Sequence, residues 1–406
     1  MSVADSKVEK ARRAAGSFRL VTAAGTRAAA PAPAADEEWE LPGGRARLYY
    51  GAGPRGMVRP VVLADGFGLG PTDFDRLWHD LENGPFPFVS ELRRCGRTLV
   101  LVGFADRGAS VLRNAETMTA AVLRTTAEQL GGARLLVGGF GTGGMVARYA
   151  MAWMETRRLD HRAGVYLSFD SPHRGAWLPI GLQALAHHVA PYDDTLLRQI
   201  SSPAARQLLW RHLDSAGGTP QESPLRTAFR QRLHDVGDWP RIPRVLAVSS
   251  GRGDGTGNGV RAGAKILSCA GPLFDGTRFL AQAQGQKAEV AAVGGVLGAP
   301  RTITTDGFPE LDGAPGGTLE SFGLLADALA AAGEHTEAAH RRVCFVPSVS
   351  AVAIRDLDQQ SDLYADIGEL PPEDSEADDF LLSSANGAHA AMTEEIGGWI
   401  LDRLPD

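Results

Sequence analysis

The chain is poor in the residues that announce a metal, a disulfide framework or a membrane anchor. Only three cysteines, Cys95, Cys269 and Cys344, occur in 406 residues. They are too few and too scattered for a disulfide scaffold or a thiolate zinc site, and they read as buried thiols. No run approaches 18 apolar residues and the N-terminus carries no apolar signal-peptide core, so no membrane span and a cytoplasmic location are expected. Basic residues do not cluster, and the net charge is −7. That balance argues against nucleic acid as a partner. No cofactor motif is present, and no metal is expected. The segment Gly251–Asn258 has a superficial phosphate-loop look, but it lacks the Lys-Ser/Thr ending that would hold a nucleotide.

What is present is a hydrophobic share of 44%, ample for a core, and one stretch that organises the rest. Residues 134–154 read RLLVGGFGTGGMVARYAMAWM. Leu135–Val137 is a short buried strand. Gly138, Gly139, Gly141, Gly143 and Gly144 crowd a tight turn. Met145, Tyr149 and Trp153 then recur at helical spacing, as do Val146, Ala150 and Met154. A strand, a G-x-S-x-G turn and a helix make the nucleophile elbow, which holds a serine in a strained conformation at the top of a sheet. Here the frame is Gly139-Phe140-Gly141-Thr142-Gly143, and Gly141 stands at the nucleophile position. Glycine adopts the strained conformation without steric cost, so the architecture persists without the attacking atom. Thr142 has a hydroxyl one residue on, but its backbone N–H, not its side chain, is expected to face an oxyanion.

Strands and helices alternate along the chain, with strands at Val61–Ala64, Thr98–Val102, Leu135–Val137, Arg162–Phe169, Arg244–Ser249 and, as the last core strand, Arg342–Val346. Such alternation predicts an α/β chain with a mostly parallel, doubly wound sheet. Residues 1–36 are Ala-rich and read as a disordered tail. The core is expected at 37–175, 241–258 and 319–406. A helical lid insertion is expected at 176–240 and a small β-rich insertion at 259–318. Thr318 reads as the N-cap of a helix over Leu319–Ala332.

Three loops complete the expected site. Asp65-Gly66-Phe67-Gly68 follows an early strand, where this architecture takes one oxyanion donor; Gly66 lets the backbone come close, and the Phe67 or Gly68 amide is the candidate donor. Asp254 follows a late strand, the usual place of a triad acid, although Gly-Asp-Gly is also a common turn. His389 sits on a loop just before the closing helix, the position of a catalytic histidine. His173, on the loop after Arg162–Phe169, is a candidate pocket-lining residue.

Asp65-Gly66-Phe67, the elbow and above all YLSFDSPHRGAWLPIGLQAL at 166–185, with DGAPGG at 312–317, FVPSVSA at 345–351 and the Asn386–His389 segment, resemble a group of bacterial lipase/esterase-like α/β-hydrolases. The resemblance runs from about residue 59 onward. It implies the α/β-hydrolase fold and acyl chemistry. Its members carry serine where this chain has Gly141, and favour an acid where Ala353 stands. Three readings follow: an enzyme that uses the pocket and His389 without an acyl-enzyme (a cyclisation, lyase step or rearrangement on a small apolar, polyketide-like substrate); a serine esterase, lipase or thioesterase whose nucleophile has been replaced; and a pseudoenzyme that binds a ligand or partner.

Overall fold

The computed structural model describes residues 3–19, 31–294 and 300–405. Part of the Ala-rich stretch, at 20–30, lies outside the described residues. So does the end of an expected strand, Glu289–Val296.

Eight strands form the central sheet: β1 (Glu37–Leu41), β2 (Gly44–Tyr49), β3 (Val61–Ala64), β4 (Leu99–Phe104), β5 (Leu135–Phe140), β6 (Ala163–Phe169), β7 (Arg244–Ser249) and β8 (Asp379–Leu382). Their order is β1-β2-β4-β3-β5-β6-β7-β8. The pairs β1–β2 and β2–β4 are antiparallel and the rest are parallel. The parallel strands are short apolar runs because both faces are covered by helices. Successive side chains point to opposite faces. Val62, Val100 and Val137 therefore enter one core, and Val61, Leu99 and Leu136 the other. This strand order, with a sharp turn into a helix after β5, is the α/β-hydrolase fold.

The helical segment comprises Ile180–Val189, Thr195–Ile200, Pro203–Leu208 and Pro224–Asp235. A second sheet, antiparallel and five-stranded, is ordered Arg301–Thr305, Ala288–Val293, Thr277–Leu280, Lys265–Ala270, His335–Ala338. It reaches beyond residue 318, and helix Ser321–Ala331 packs against its strands Lys265–Ala270 and His335–Ala338.

Four local expectations differ from the structure. Val343–Pro347 does not join the central sheet; it pairs with Gly316–Leu319 in a two-stranded ribbon. The last central strand is β8, four residues between an acidic loop and Ser383-Ser384, too short for its periodicity to stand out. Thr318 lies in that ribbon, and Glu320 precedes the helix. Val3–Ser17 is a helix rather than a tail, with Ala11, Ala14 and Ala15 forming its buried stripe. Phe18 follows it and packs on Phe274 at 5.8 Å between ring centroids. Cys95 is exposed, whereas Cys269 and Cys344 are buried. No helix among the described residues is long and apolar enough to cross a membrane.

One buried carboxylate ties the two insertions together. Asp312 accepts from Trp177 Nε1 at 2.7 Å and from the Gln282 backbone at 2.6 Å. Burial, the dominant influence, pushes its pKa up to about 6. The folded state therefore holds a proton that the unfolded chain releases at lower pH. Stability from this group is full below the unfolded carboxylate pKa, near 4, and is lost as pH rises through about 6. The unfolding free energy of the wild type, taken relative to Asp312→Asn, should fall by on the order of 3 kcal/mol between pH 4 and pH 7. Urea denaturation at the two pH values checks this.

Candidate active site

The turn after β5 begins with Gly141 at φ 51° and ψ −113°. A side chain there would sit in a sparsely populated conformation that costs about 1–3 kcal/mol, which glycine avoids. Its neighbours are equally constrained. A Cβ on Gly139 would lie 2.5 Å from the Gly143 backbone, and one on Gly143 would lie 2.4 Å from the carbonyl oxygens of Ala64 and Asp65. The two flanking glycines thus let helix Thr142–Thr156 press against β3 and the loop that follows it.

His389 faces this turn. A Cβ built on Gly141 would meet its Nε2 at 2.8 Å. Its Nδ1 lies 2.8 Å from Asp170 Oδ2. The carboxylate accepts only, so Nδ1 carries the hydrogen and the Nε2 lone pair points at Gly141. Asp170 is fully buried, and His389 exposes 16% of its side chain. Two further donors fix the carboxylate: the backbone N–H of Ala390 at 2.9 Å and of Ser250 at 3.1 Å. The loop carrying His389 is pinned by Thr318, whose carbonyl accepts the His389 N–H and whose own N–H and hydroxyl both donate to Gly387 O, each at 2.9 Å. Phe345 packs edge-on against the imidazole at 5.0 Å.

The carboxylate on His389 is therefore Asp170, not Asp254. Asp254 is exposed and paired with Arg252. It also accepts from Thr256 N–H at 3.0 Å. Its partners hold its pKa far below the usual carboxylate range, Arg252 first among them. Asp254 caps a glycine-rich turn, as Asp residues often do. The signal for Asp170 was present in the sequence: an acid at the carboxyl end of a strand, opening the DSPHRG segment. The glycine-rich loop one strand later offers an acid as well, and local sequence does not choose between the two. With Asp170 in place, the lack of an acid at Ala353 leaves His389 partnered. Asp254→Asn is expected to leave turnover within about twofold of wild type, measured on the same substrate panel as the variants below.

His173 is also elsewhere. Arg148 donates to its Nδ1 at 3.0 Å, so Nε2 carries the hydrogen and donates to Ser168 Oγ at 2.7 Å. Its ring packs against Trp239. Burial, reinforced by Arg148, holds its pKa well below the ordinary value, so it is a neutral structural histidine. It lines a separate groove with Arg148 and Trp239, not the space above Gly141.

That space is a cavity of about 750 Å³ lined by Gly66, Phe67, Gly141, Thr142 and His389. The helical insertion adds apolar wall through Leu178, Ile200, Leu208 and Leu209. Gly66 N–H donates to Asp65 Oδ1 at 2.7 Å. Among the described residues no acceptor takes the Phe67 N–H. Thr142 N–H, at the first position of its helix, has no intrahelical acceptor. These two amides lie on loops at the carboxyl ends of neighbouring parallel strands, where ligands of open α/β sheets bind. The Thr142 side chain is buried.

No family model matches the chain, and no curated protein matches it. Among solved structures it is similar to an esterase from Pyrobaculum calidifontis at 14% identity, over 52% of this chain and 65% of that one, with a TM-score of 0.34. It is similar to an esterase/lipase from an uncultured bacterium at 14% identity, 54% and 66% coverage and a TM-score of 0.33. A thermophilic carboxylesterase cloned from a metagenomic library matches at 13% identity, 60% and 74% coverage and a TM-score of 0.32. The chain spans just under two thirds of the first two of these structures.

Proposed function

We propose that this chain is an α/β-hydrolase-fold enzyme that performs general-base chemistry on a carbonyl substrate without a covalent acyl intermediate. His389 Nε2 accepts a proton from the substrate in the space a serine side chain would fill. Asp170 holds the imidazole in the required tautomer and stabilises the imidazolium that forms. The Phe67 and Thr142 amides take the charge that develops on the carbonyl oxygen. The same imidazole returns the proton to the product. A cyclisation, an elimination or a rearrangement fits this cycle, on an apolar, polyketide-like substrate enclosed by the helical insertion acting as a lid.

One observation carries this reading: Nε2 lies 2.8 Å from where the Cβ of residue 141 would be. That is closer than a side chain tolerates, and the ring is anchored by Asp170 and packed against Phe345. A serine at 141 would need this imidazole to shift, whereas glycine leaves it in place beside the substrate. A serine hydrolase with its nucleophile replaced is the second reading. It is favoured by the elbow backbone, whose angles at Gly141 are those in which a nucleophile elbow holds its serine. Incubating the protein with thioesters of poly-β-keto acids and following product by mass spectrometry tests the proposal. Products formed without net hydrolysis support it. Release of free acid as the sole product would overturn it.

A further inference from the structure

We infer that Arg107 is an anion subsite of the cavity, and that the substrate is an amphipathic acid: an apolar body carrying a carboxylate or phosphate close to its reacting carbonyl. The inference rests on the cavity above Gly141 being the substrate site, as proposed above.

Four arginines line that cavity: Arg19, Arg76, Arg107 and Arg342. Three have committed their guanidinium groups. Arg19 donates to the carbonyls of Gly16 and Phe18, Arg76 to Asp80 at 2.8 Å and Arg342 to Glu320 at 3.0 Å. Among the described residues the Arg107 side chain makes no hydrogen bond. Its Nε is buried without an acceptor, and its nearest carboxylate oxygen, Asp65 Oδ2, stands off at 3.6 Å. The terminal nitrogens, which also make no hydrogen bond, are the donors a ligand acceptor would meet.

Asp65 forms a long ion pair with Arg107, at 3.6 Å, but takes no hydrogen bond from it. Its Oδ1 is engaged by the Gly66 N–H and its Oδ2 by the Thr72 hydroxyl at 2.8 Å. The guanidinium lies flat against Gly68, whose absent Cβ would fall 2.3 Å from Arg107 Cζ. A bound anion would therefore sit beside the loop that presents the Phe67 amide. A fork of N–H donors suits a planar or tetrahedral oxyanion. The apolar wall of Leu178, Ile200, Leu208 and Leu209 would take the rest of the ligand.

Calorimetric titration of the whole protein with decanoate, decyl phosphate and decanol tests this without reading turnover. Wild type should bind one of the two anions at least tenfold more tightly than decanol, and which one it prefers identifies the anion. Arg107→Gln should lose that preference while decanol binding stays within twofold. Arg107→Lys, which keeps the charge but not the fork, should fall between the two and decides the matter if the glutamine variant does not fold. Equal binding of anions and decanol by wild type, or equal weakening of both in the variants, would overturn the inference and make Arg107 a buttress of its loop. Asp254→Asn, outside the cavity, should bind the anion as wild type does. Failure of the catalytic reading is thus seen in turnover, and failure of this one in binding.

Discussion

His389→Ala is expected to lower turnover by about 10²–10⁴-fold, the usual contribution of a positioned general base, while ligand binding in the cavity changes little. The reason is geometric. Nε2 is the basic atom aimed at the space beside Gly141, and its lone pair is free because Nδ1 donates to Asp170. Asp170→Asn should be comparably severe, on the order of 10³–10⁴-fold. An amide that turns its NH₂ toward Nδ1 stabilises the opposite tautomer and places the hydrogen on Nε2. The double variant should be little worse than either single one, because the two residues act as a unit. Rates on the poly-β-keto thioester panel check all three. Equal turnover in wild type and His389→Ala would remove the imidazole from the chemistry.

Gly141→Ala and Gly141→Ser form the second strong test. Either side chain places a Cβ at φ 51° in the strained elbow conformation, which should destabilise the fold by about 1–3 kcal/mol. Either one also collides with Nε2 unless the imidazole withdraws from Asp170. Loss of turnover by at least about 10²-fold is expected for both. The serine variant carries more information. If the site is matched to glycine, Gly141→Ser stays unlabelled by a fluorophosphonate probe and hydrolyses short acyl esters no faster than wild type. Stoichiometric labelling with a burst of ester cleavage would instead establish the second reading, a serine hydrolase lacking only its nucleophile. Urea denaturation of the alanine variant separates the stability cost from the catalytic one.

The acid shows where local reading failed. Asp170 and Asp254 each follow a parallel strand, β6 and β7, and each is a carboxylate at a loop start. Nothing within either loop says which one reaches a histidine more than 130 residues further on. The choice is made by the path of the chain after β8, which brings the His389 ring and the Ala390 amide onto Asp170, where the Ser250 amide at the end of β7 also donates. His173 failed for a related reason. It lies on the loop after β6, but Arg148 and Trp239 draw its ring to the other side of that segment. Thr318 was assigned to a helix cap. It instead joins a two-stranded ribbon whose partner strand begins at Val343, and its hydrogen bonds hold the His389 loop.

The parts of this protein readable from the chain alone were those governed by neighbours in sequence. The parallel strands before β8 followed from short apolar runs, the elbow from glycines spaced two apart, and the glycine at its centre from one letter at position 141. Glycine at that point is a backbone requirement, and backbone requirements are local. The partner of His389, the wall of the cavity and the unmet N–H of Arg107 were legible only in three dimensions. Each depends on which of several chemically equivalent groups the packing of distant segments brings within hydrogen-bond reach, or leaves without a partner.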